Sequence, residues 1–184
     1  MVLELLEKTR SYRRFDESRG ISREDLLQIV GAMRLCPSAA NLQRLRAVIV
    51  EGTDEDGVFD TLAFAAYLRP WVRPDVGERP TAYVVIMSEK DADVTLGIDI
   101  GIAAEAMLLT AREKGIGGCM FRSFDKDRLS ALLKREGYIP HLVIALGYPS
   151  ETVVIEDAEE SLRYYRDEAG VHHVPKLGVD KLII

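Results

Sequence analysis

The sequence predicts one domain in which helices and strands are interleaved, of the α+β or α/β class. The chain has 184 residues, of which 47% are apolar, and a chain of this length can bury roughly 70% of the surface that its unfolded form exposes. Along it, apolar residues recur at helical and then at strand spacing, and no internal repeat or linker interrupts them. The predicted order is α-α-β-α-β-α-β-α-β with an extended tail, and the connection lengths leave the strand directions open.

Two helices are predicted at the amino-terminal end. Apolar residues at helical spacing predict a short amphipathic helix over residues 2–9. A second helix is predicted to begin after Ser22, because this residue is a suitable N-cap with Asp25 three positions later. Pro37 is expected to end it.

The middle of the chain is predicted to contain a strand, a helix and a loop. The β-branched stretch 46–50 predicts the strand, and apolar spacing predicts a helix over about 56–68. The buried face of this helix would comprise Phe59, Leu62, Ala63 and Ala66. Residues 69–80 contain three prolines, a glycine and Trp71, the only tryptophan, which together predict a loop. Such a loop could act as a lid or partner contact, or Trp71 could pack over the core.

A central helix and two buried strands are expected in the second half. The apolar runs 82–87 and 142–147 predict strands, and the first of them is expected to be covered on both faces. Residues 99–114 predict a helix that is apolar almost all round. This pattern is typical of a core helix in a monomer or of a helix at a subunit interface. A further helix is predicted from its cap at Asp125 to Gly137.

The carboxy-terminal part is predicted to contain a solvated acidic helix over residues 156–168, followed by an extended tail from His172 to Ile184. The tail closes on Leu182, Ile183 and Ile184, an apolar end that favours docking onto a surface such as that of another chain.

Composition excludes several classes of function. With 24 basic and 30 acidic residues the net charge is −6, so the chain lacks the positive field needed to wrap nucleic acid or an anionic membrane, and any anion site must be local. The two cysteines and three histidines show no spacing typical of a structural metal site. No segment has the pattern of a signal peptide or a spanning helix. We therefore expect a cytoplasmic protein with no metal.

An arginine cluster follows the first helix. Arg10, Arg13 and Arg14 lie within five residues of each other, and their charges repel unless an anion lies between them. A phosphate suits the planar guanidinium groups, and Ser11 can add a neutral hydrogen bond. The alternative is a solvated patch that pairs with nearby acids such as Asp16.

A second cluster of candidate residues spans 36–43 and contains Asn41, the only asparagine of the chain, and Gln43. Amide side chains suit the edge of a heterocycle or a polyol, and the small residues around Ser38 would let a flat ring approach. The same Pro-Ser-Ala-Ala-Asn turn could simply end a helix. The glycine run 115–118 lacks the dinucleotide-binding pattern, because Met120 stands where the last glycine belongs, although its backbone could still face a ligand.

These motifs together resemble the FMN-dependent nitroreductase family. The resemblance rests on an Arg-Ser-x-Arg-x-Phe motif at residues 10–15 and a Pro-Ser-Ala-x-Asn-x-Gln motif at residues 37–43. Further similar features are the Asp-x-Gly-x-Ala start of the buried helix, the Lys-Gly-Ile-Gly-Gly turn, the Ala-Leu-Gly-Tyr-Pro strand end and the Pro-Lys pair of the tail. They occur in the family's order along nearly the whole chain.

The resemblance implies a single FMN-binding domain over residues 1–184. Its fold would be α+β, with a mostly antiparallel central sheet flanked by helices, in an intertwined homodimer that binds FMN at the interface. One chain would hold the phosphate and ribityl groups of FMN, and its partner would meet the flavin ring through the turn near residue 38. The residues implied are Arg10, Ser11, Arg13 and Lys176 on the first side, Pro37, Ser38, Ala39 and Asn41 on the second, and the backbone near Arg122 and Ser123 at the redox-active edge.

The activity implied is hydride transfer from NADH or NADPH through FMN to a nitroaromatic, quinone or similar acceptor. The flavin would supply the chemistry, and no catalytic side chain is assigned. A different FMN reaction, such as enone reduction or dehalogenation, and a flavin-binding module without turnover are the alternatives. Both cysteines, Cys36 and Cys119, are expected to be structural, because apolar neighbours favour the neutral thiol.

The chain departs from the family pattern at four places. Family members often have a basic residue where Thr9 stands, Pro-Trp in place of Arg44-Leu45, a glycine in place of Ser123 and a second tail cation in place of Gly178. These differences bear on the strength of phosphate binding and on the shape of the substrate side. Arg14 is expected to restore part of the lost positive charge.

Overall fold

A computed structural model of the chain describes residues 1–52, 55–65, 67–68, 70–89, 91 and 93–184. The helices are α1 (Val2–Lys8), α2 (Arg23–Arg34), α3 (Glu55–Phe59), α4 (Val94–Glu113) and α5 (Lys126–Leu133). The strands are β1 (Arg46–Val50), β2 (Ala82–Ser88), β3 (Gly117–Phe121), β4 (Ile139–Gly147), β5 (Val153–Asp157), β6 (Tyr165–Arg166) and β7 (His172–Lys176). Short 3-10 turns lie at Ala39–Asn41 and Val179–Lys181.

The main sheet has the strand order β1-β2-β4-β3, and each neighbouring pair is antiparallel. Strand β2 is buried along its whole length and pairs with β4 in a register that sets Tyr83 opposite Ala145. This arrangement confirms the α+β class with a central antiparallel sheet that the resemblance implied.

Helices cover both faces of this sheet. Alternate residues of β2 point to opposite sides, so Val84 and Ile86 pack against α2 and α4, while Tyr83 and Val85 pack against α3 and α5. The continuous apolar run in β2 is therefore explained by burial on both faces, as expected.

Helix α4 is the central helix, and it begins five residues earlier than the apolar pattern predicted. Asp93 caps it by accepting a hydrogen bond from the backbone N–H of Leu96 at 2.7 Å. Its length and mean hydropathy of 1.6 would also suit a membrane span, but its buried face packs in the core. On its other side Ile98 and Ile102 are exposed.

The predicted acidic helix over 156–168 is wrong. Residues 156 and 157, at the start of the predicted helix, belong instead to strand β5, which pairs in parallel with β7 and sets Ile155 opposite Val174. Strand β6 pairs antiparallel with β7. The alternation of apolar and acidic residues from Val153 to Asp157 suits a strand with one packed face, and the partner strand lies about 20 positions away in the predicted extended tail. That tail is confirmed as a strand over its first five residues.

The helix predicted over about 56–68 is shorter than expected. Helix α3 ends at Phe59, and the chain then runs beside the segment after β3, where the backbone N–H of Ala63 donates to the carbonyl of Ser123 at 2.9 Å. This long-range pairing overrides the local apolar spacing. The predicted face residue Ala66 and the predicted loop residue Arg69 lie outside the described part of the chain.

Two other helix ends also differ from the sequence prediction. Helix α2 ends at Arg34, before Pro37. Helix α5 ends at Leu133, because Lys134 adopts a left-handed conformation with φ of 50°. The predicted caps, Ser22 and Asp125, are both confirmed, since each side chain accepts a hydrogen bond from the backbone three residues on.

Candidate functional site

A cavity of about 330 Å³ lies between the amino-terminal segment, helix α4 and strand β7. We call it the cationic cavity. Its polar lining consists mainly of Arg10, Ser11, Arg13, Glu105, His172 and Lys176. The structure therefore brings together all four residues that the sequence assigned to one side of the site, although Lys176 is more than 160 positions from the others.

Backbone hydrogen bonds fix the arginine-bearing segment against the sheet. Ser11 forms a parallel bridge with Gly118, and the N–H of Tyr12 donates to the carbonyl of Gly118 at 3.1 Å. A Cβ atom at Gly118 would lie 2.6 Å from the side chain of Leu108, so only glycine fits between helix and strand. The glycine run thus serves close packing, which positions the arginine segment.

A buried carboxylate holds the same segment from the other side. Glu151, whose side chain is 2% exposed, accepts hydrogen bonds from the backbone N–H groups of Arg13 and Arg14. It also pairs with the guanidinium of Arg166 at 2.6 Å. Glu151 therefore links the amino-terminal segment to strand β6. It binds the backbone of Arg13, whose side chain lines the cavity.

The arginines of the cavity donate to backbone carbonyls. Arg10 donates to the carbonyl of Leu6 at 2.6 Å, and Arg13 donates to the carbonyl of Ser11 at 3.1 Å. Within the described ranges, no ion pair joins Arg10, Arg13 or Lys176 to a carboxylate. In a chain of net charge −6, three such cations in one lining outnumber its single acidic residue, Glu105, and this balance of charge suits an anion.

Arg14 does not belong to this group. Its Nε lies 3.1 Å from a carboxylate oxygen of Glu78, and Arg14 is not among the residues that line the cavity. The structure therefore gives no support to the expectation that Arg14 restores the family's lost positive charge.

His172 is a cavity residue that the sequence reasoning left without a role. The residue is 1% exposed, and neither ring nitrogen has a hydrogen-bond partner within the described structure. Burial, and next the guanidinium of Arg13, lower the pKa of His172 to about 4, so the ring is neutral at pH 7. The alternation of strand β7 could have identified it, because residues 172, 174 and 176 share one face.

A second cavity, of about 270 Å³, lies beside the turn that follows helix α2. We call it the turn cavity. Its lining includes Pro37, Ser38, Gln43, Arg44, Asp99 and Ala103. The predicted residues Ala39 and Asn41 lie on the 3-10 turn at its edge.

The turn itself has an unusual backbone. Ala40, Asn41 and Gln43 have φ values of 48°, 54° and 48°, in the left-handed region that residues other than glycine rarely adopt. Ser38 supports this conformation by accepting a hydrogen bond from the N–H of Gln43 at 3.1 Å. Backbone strain of this kind clusters at binding sites, and this turn is therefore a candidate binding element.

Asp99 braces the turn from helix α4, a role that the sequence reasoning did not assign. The residue is 4% exposed, and one carboxylate oxygen accepts a hydrogen bond from the N–H of Ala39 at 3.1 Å. The other oxygen is buried with no partner among the described residues. A polar residue in the apolar pattern of this helix was the signal that could have identified it.

The two cavities lie on opposite sides of helix α4. Asp99 and Ala103 line the turn cavity, whereas Glu105 and Leu108 line the cationic cavity. At about 100° of rotation per residue these two pairs point roughly 180° apart. Within a single chain, helix α4 therefore lies between the two cavities.

The remaining predicted site residues lie outside both cavities. Arg122 and Ser123 are exposed and follow strand β3.

In the predicted loop, Trp71 packs edge-on against Phe64 with 6.0 Å between the ring centroids, and Phe64 packs on Phe121 with 4.8 Å between theirs. This contact supports the interpretation that the tryptophan packs over the core.

Both cysteines are in environments that favour the neutral thiol. Burial raises the pKa of Cys36 and of Cys119, and Cys119 is 4% exposed.

Among the described residues, no cluster of three or more histidine, cysteine or acidic side chains could hold a metal ion. The chemistry available at either cavity is therefore binding and polarisation by arginine, lysine, amide and backbone groups.

Comparison with known proteins agrees with the geometry. The chain is 23% identical to the Bacillus subtilis (strain 168) protein named "Putative NAD(P)H nitroreductase YdgI", covering 79% of this chain and 87% of that one. A nitroreductase family protein from Streptococcus pneumoniae TIGR4 has a TM-score of 0.70 at 18% identity, covering 100% and 99% of the two chains. An FMN- and NADPH-dependent nitroreductase from a Sphigopyxis strain has a TM-score of 0.72 at 17% identity, covering 100% and 98%.

The family itself follows from a match over most of the sequence. The profile of the nitroreductase family matches residues 6–148, which is 143 of the 184 residues. This range contains the arginine segment, the braced turn and the central sheet. The chain therefore belongs to the nitroreductase family.

Proposed function

We propose that this protein is an FMN-dependent oxidoreductase that transfers hydride from NADH or NADPH to a nitroaromatic, quinone or similar small acceptor. The observation that carries the proposal is the cationic cavity, where Arg10, Arg13 and Lys176 converge and none of them forms an ion pair with a carboxylate in the described part of the chain. The names of its relatives, an NAD(P)H nitroreductase and an FMN- and NADPH-dependent nitroreductase, support the same cofactors.

The residues present fit a flavin mononucleotide. Three cations and the hydroxyl of Ser11 suit a phosphate dianion, and the buried ring of His172 has unused hydrogen-bonding capacity beside them. The left-handed turn at residues 40–43 presents backbone groups and two amide side chains, which suit the polar edge of a flavin ring.

We further propose that the two halves of this site come from different chains of a homodimer. The cationic cavity of one protomer and the turn cavity of its partner would then face one flavin. In this arrangement a single flavin could contact both kinds of cavity, although helix α4 separates them within each chain. Exposed apolar residues support such an interface, namely Ile98 and Ile102 on α4 and Leu182, Ile183 and Ile184 at the chain end.

The chemistry that FMN supplies when bound is hydride acceptance from a nicotinamide and hydride delivery to the acceptor. The protein's residues bind and orient. Arg10, Arg13 and Lys176 would hold the phosphate, and the turn would contact the ring through Pro37, Ser38, Ala39 and Asn41. The backbone near Arg122 and Ser123, after β3, would approach the reactive edge. We propose that this single FMN-binding domain works in the cytoplasm, and its cysteines take no part.

Two spectroscopic measurements test the proposal. Purified protein reconstituted with FMN and passed through a desalting column should retain the visible absorption of a flavin at one per chain. Anaerobic addition of NADH or NADPH should then bleach that absorption, and a nitroaromatic or quinone should restore it. Retained flavin that neither nicotinamide reduces would indicate a binding module, and absent flavin would contradict the proposal altogether.

A further inference from the structure

Strand β7 presents two neighbouring histidines to opposite environments. His173 has acidic partners on both ring nitrogens, Glu156 at 2.8 Å and Asp167 at 3.3 Å, and its ring stacks on Tyr165. His172 faces the cationic cavity, on the same side of the strand as Lys176. The two residues therefore form a natural pair of test and control.

The ring of His172 is held in place, and its nitrogens have no hydrogen-bond partner among the residues that the structure describes. It packs against Tyr164 with 5.4 Å between the ring centroids, and it is covered almost completely. Buried polar side chains nearly always have a hydrogen-bond partner, and one without is costly. Two such ring nitrogens at the wall of an anion cavity indicate that a ligand group supplies the missing bond.

We propose that His172 donates a ring N–H to the phosphate group of the bound flavin, as a further contact beside Arg10, Ser11, Arg13 and Lys176. The inference rests on the proposed FMN function and adds a residue to it. A neutral imidazole has one N–H donor, so it strengthens phosphate binding without adding to the repulsion among three cations. Its burial from water makes the bond to a charged acceptor stronger than it would be at the surface.

The test uses flavin-free protein titrated with FMN and with riboflavin, which lacks the phosphate. His172→Phe keeps the ring contact with Tyr164 and removes both nitrogens, so FMN affinity should fall by about 10- to 100-fold, the range for a hydrogen bond to a charged group. Riboflavin affinity should stay within about threefold, because the phosphate interaction is absent there. His172→Gln retains an N–H donor and should recover most of the FMN affinity.

His173→Phe provides the matched control, since it makes the same change one residue away and outside the cavity. It should bind FMN like the wild type. Equal losses for FMN and riboflavin in His172→Phe, or no loss for either, would overturn the assignment to the phosphate. Wild-type protein that fails to bind FMN would instead overturn the proposed function.

Stability gives a second readout that a purely structural role would not produce. Without flavin, His172→Phe should unfold at the same temperature as the wild type or higher, because it removes an unpaired buried polar ring. A structural role predicts a lower temperature. If His172→Phe does not fold, NMR of the wild-type protein provides the test. The resonances of the His172 ring should shift on adding FMN and not on adding riboflavin, and resonances that FMN leaves unmoved would contradict the proposal.

Discussion

Three cationic side chains of the cationic cavity are the most informative residues of this acidic protein, because none pairs with an acid within the described residues. Of the other arginines, Arg14, Arg44 and Arg79 each lie within 3.4 Å of a carboxylate oxygen, as the excess of acidic residues would suggest. Arg10, Arg13 and Lys176 differ because they line a shared cavity. The sequence identified the first two as a candidate anion site, with a solvated patch as the alternative, and only the fold could bring Lys176 to them.

Replacing Arg13 by alanine should weaken FMN binding. The change removes a charge-assisted hydrogen bond worth about 1.5–3 kcal/mol, which corresponds to about 10- to 150-fold in affinity. The backbone bonds to Glu151 remain, so the fold should be unaffected. Fluorescence titration of flavin-free protein with FMN measures the effect, and we expect the same direction for Arg10→Ala.

The control for these variants is Arg135→Ala, because Arg135 is exposed and lies outside both cavities. It should bind FMN like the wild type. If Arg10→Ala and Arg13→Ala also bind FMN as tightly as the wild type, the arginine cluster is a solvated patch.

The thiols should be dispensable for turnover. Burial raises the pKa of Cys36 and Cys119, so at neutral pH both are protonated and poor nucleophiles. We expect the Cys36→Ala, Cys119→Ala double variant to oxidise NADH at a rate per bound flavin within a few-fold of the wild type. A loss of a hundredfold, about 2.7 kcal/mol of activation free energy, would assign a thiol to the reaction.

At the level of helices and strands, the sequence predicted the elements that short stretches of neighbouring residues determine. Ser22 and Asp125 cap their helices as expected, and the apolar run of β2 is that of a strand buried on both faces. The acidic segment 156–168 was predicted wrongly because strand β5 depends on pairing with residues 172–176. The left-handed turn at 40–43 likewise depends on the distant carboxylate of Asp99, which local sequence could not connect to it.

Strand β7 should give the protein a distinctive pH dependence. Since burial and Arg13 lower the pKa of His172 to about 4, the unfolded chain binds a proton near pH 6.5 that the folded one does not. The free energy of unfolding should therefore fall by up to roughly 3 kcal/mol from this residue as the pH drops from 6.5 to 4. Urea unfolding of wild type and His172→Phe across this range should reveal a difference that grows with acidity.

His173 should act in the opposite sense. Glu156 and Asp167 raise its pKa, so its contribution is fully present below pH 6.5, its unfolded value, and is lost as the pH rises through the raised value. His173→Phe should therefore lose most stability relative to the wild type in mild acid and least at alkaline pH. Parallel pH profiles for the two histidine variants would contradict this account.

Asp99 connects helix α4 to the turn, and its removal should loosen both. Asp99→Ala leaves the N–H of Ala39 without its acceptor and should lower the free energy of unfolding by roughly 1–3 kcal/mol. Asp99→Asn keeps an oxygen acceptor and should restore most of that loss. Thermal unfolding of the three proteins measures the series, and equal stability of Asp99→Ala and wild type would show that the turn holds without its brace.

At the scale of the whole molecule, the family and the fold class followed from motifs that stay in order along the chain. The resemblance already implied a site built from two halves on two chains. What the residue pattern could not supply was the placement of these halves on the two sides of helix α4. The turn near Pro37 and the arginine segment each line a cavity beside helix α4, but these cavities lie on opposite sides of the helix. The homodimer proposed above would let both halves serve one ligand.

The homodimer can be tested together with the flavin site. Ile98 is 59% exposed on α4 and lines neither cavity, so Ile98→Asp should place a charge in the proposed interface without touching either half-site. Wild-type protein at micromolar concentration should scatter light with twice the mass of the chain, and the variant should be a monomer. Ala131→Asp, at an exposed position of α5 on the other face of the sheet, is the control and should remain a dimer.

Loss of the dimer should carry loss of flavin with it. If each FMN contacts the cationic cavity of one protomer and the turn cavity of its partner, monomeric Ile98→Asp should fail to retain FMN although every cavity residue is intact. Deletion of residues 179–184, which removes the exposed Leu182, Ile183 and Ile184, should weaken dimerisation and FMN retention in the same proportion. A monomeric variant that keeps one FMN per chain would show that a single chain completes the site, and a deletion that leaves the dimer unchanged would remove the tail from the interface.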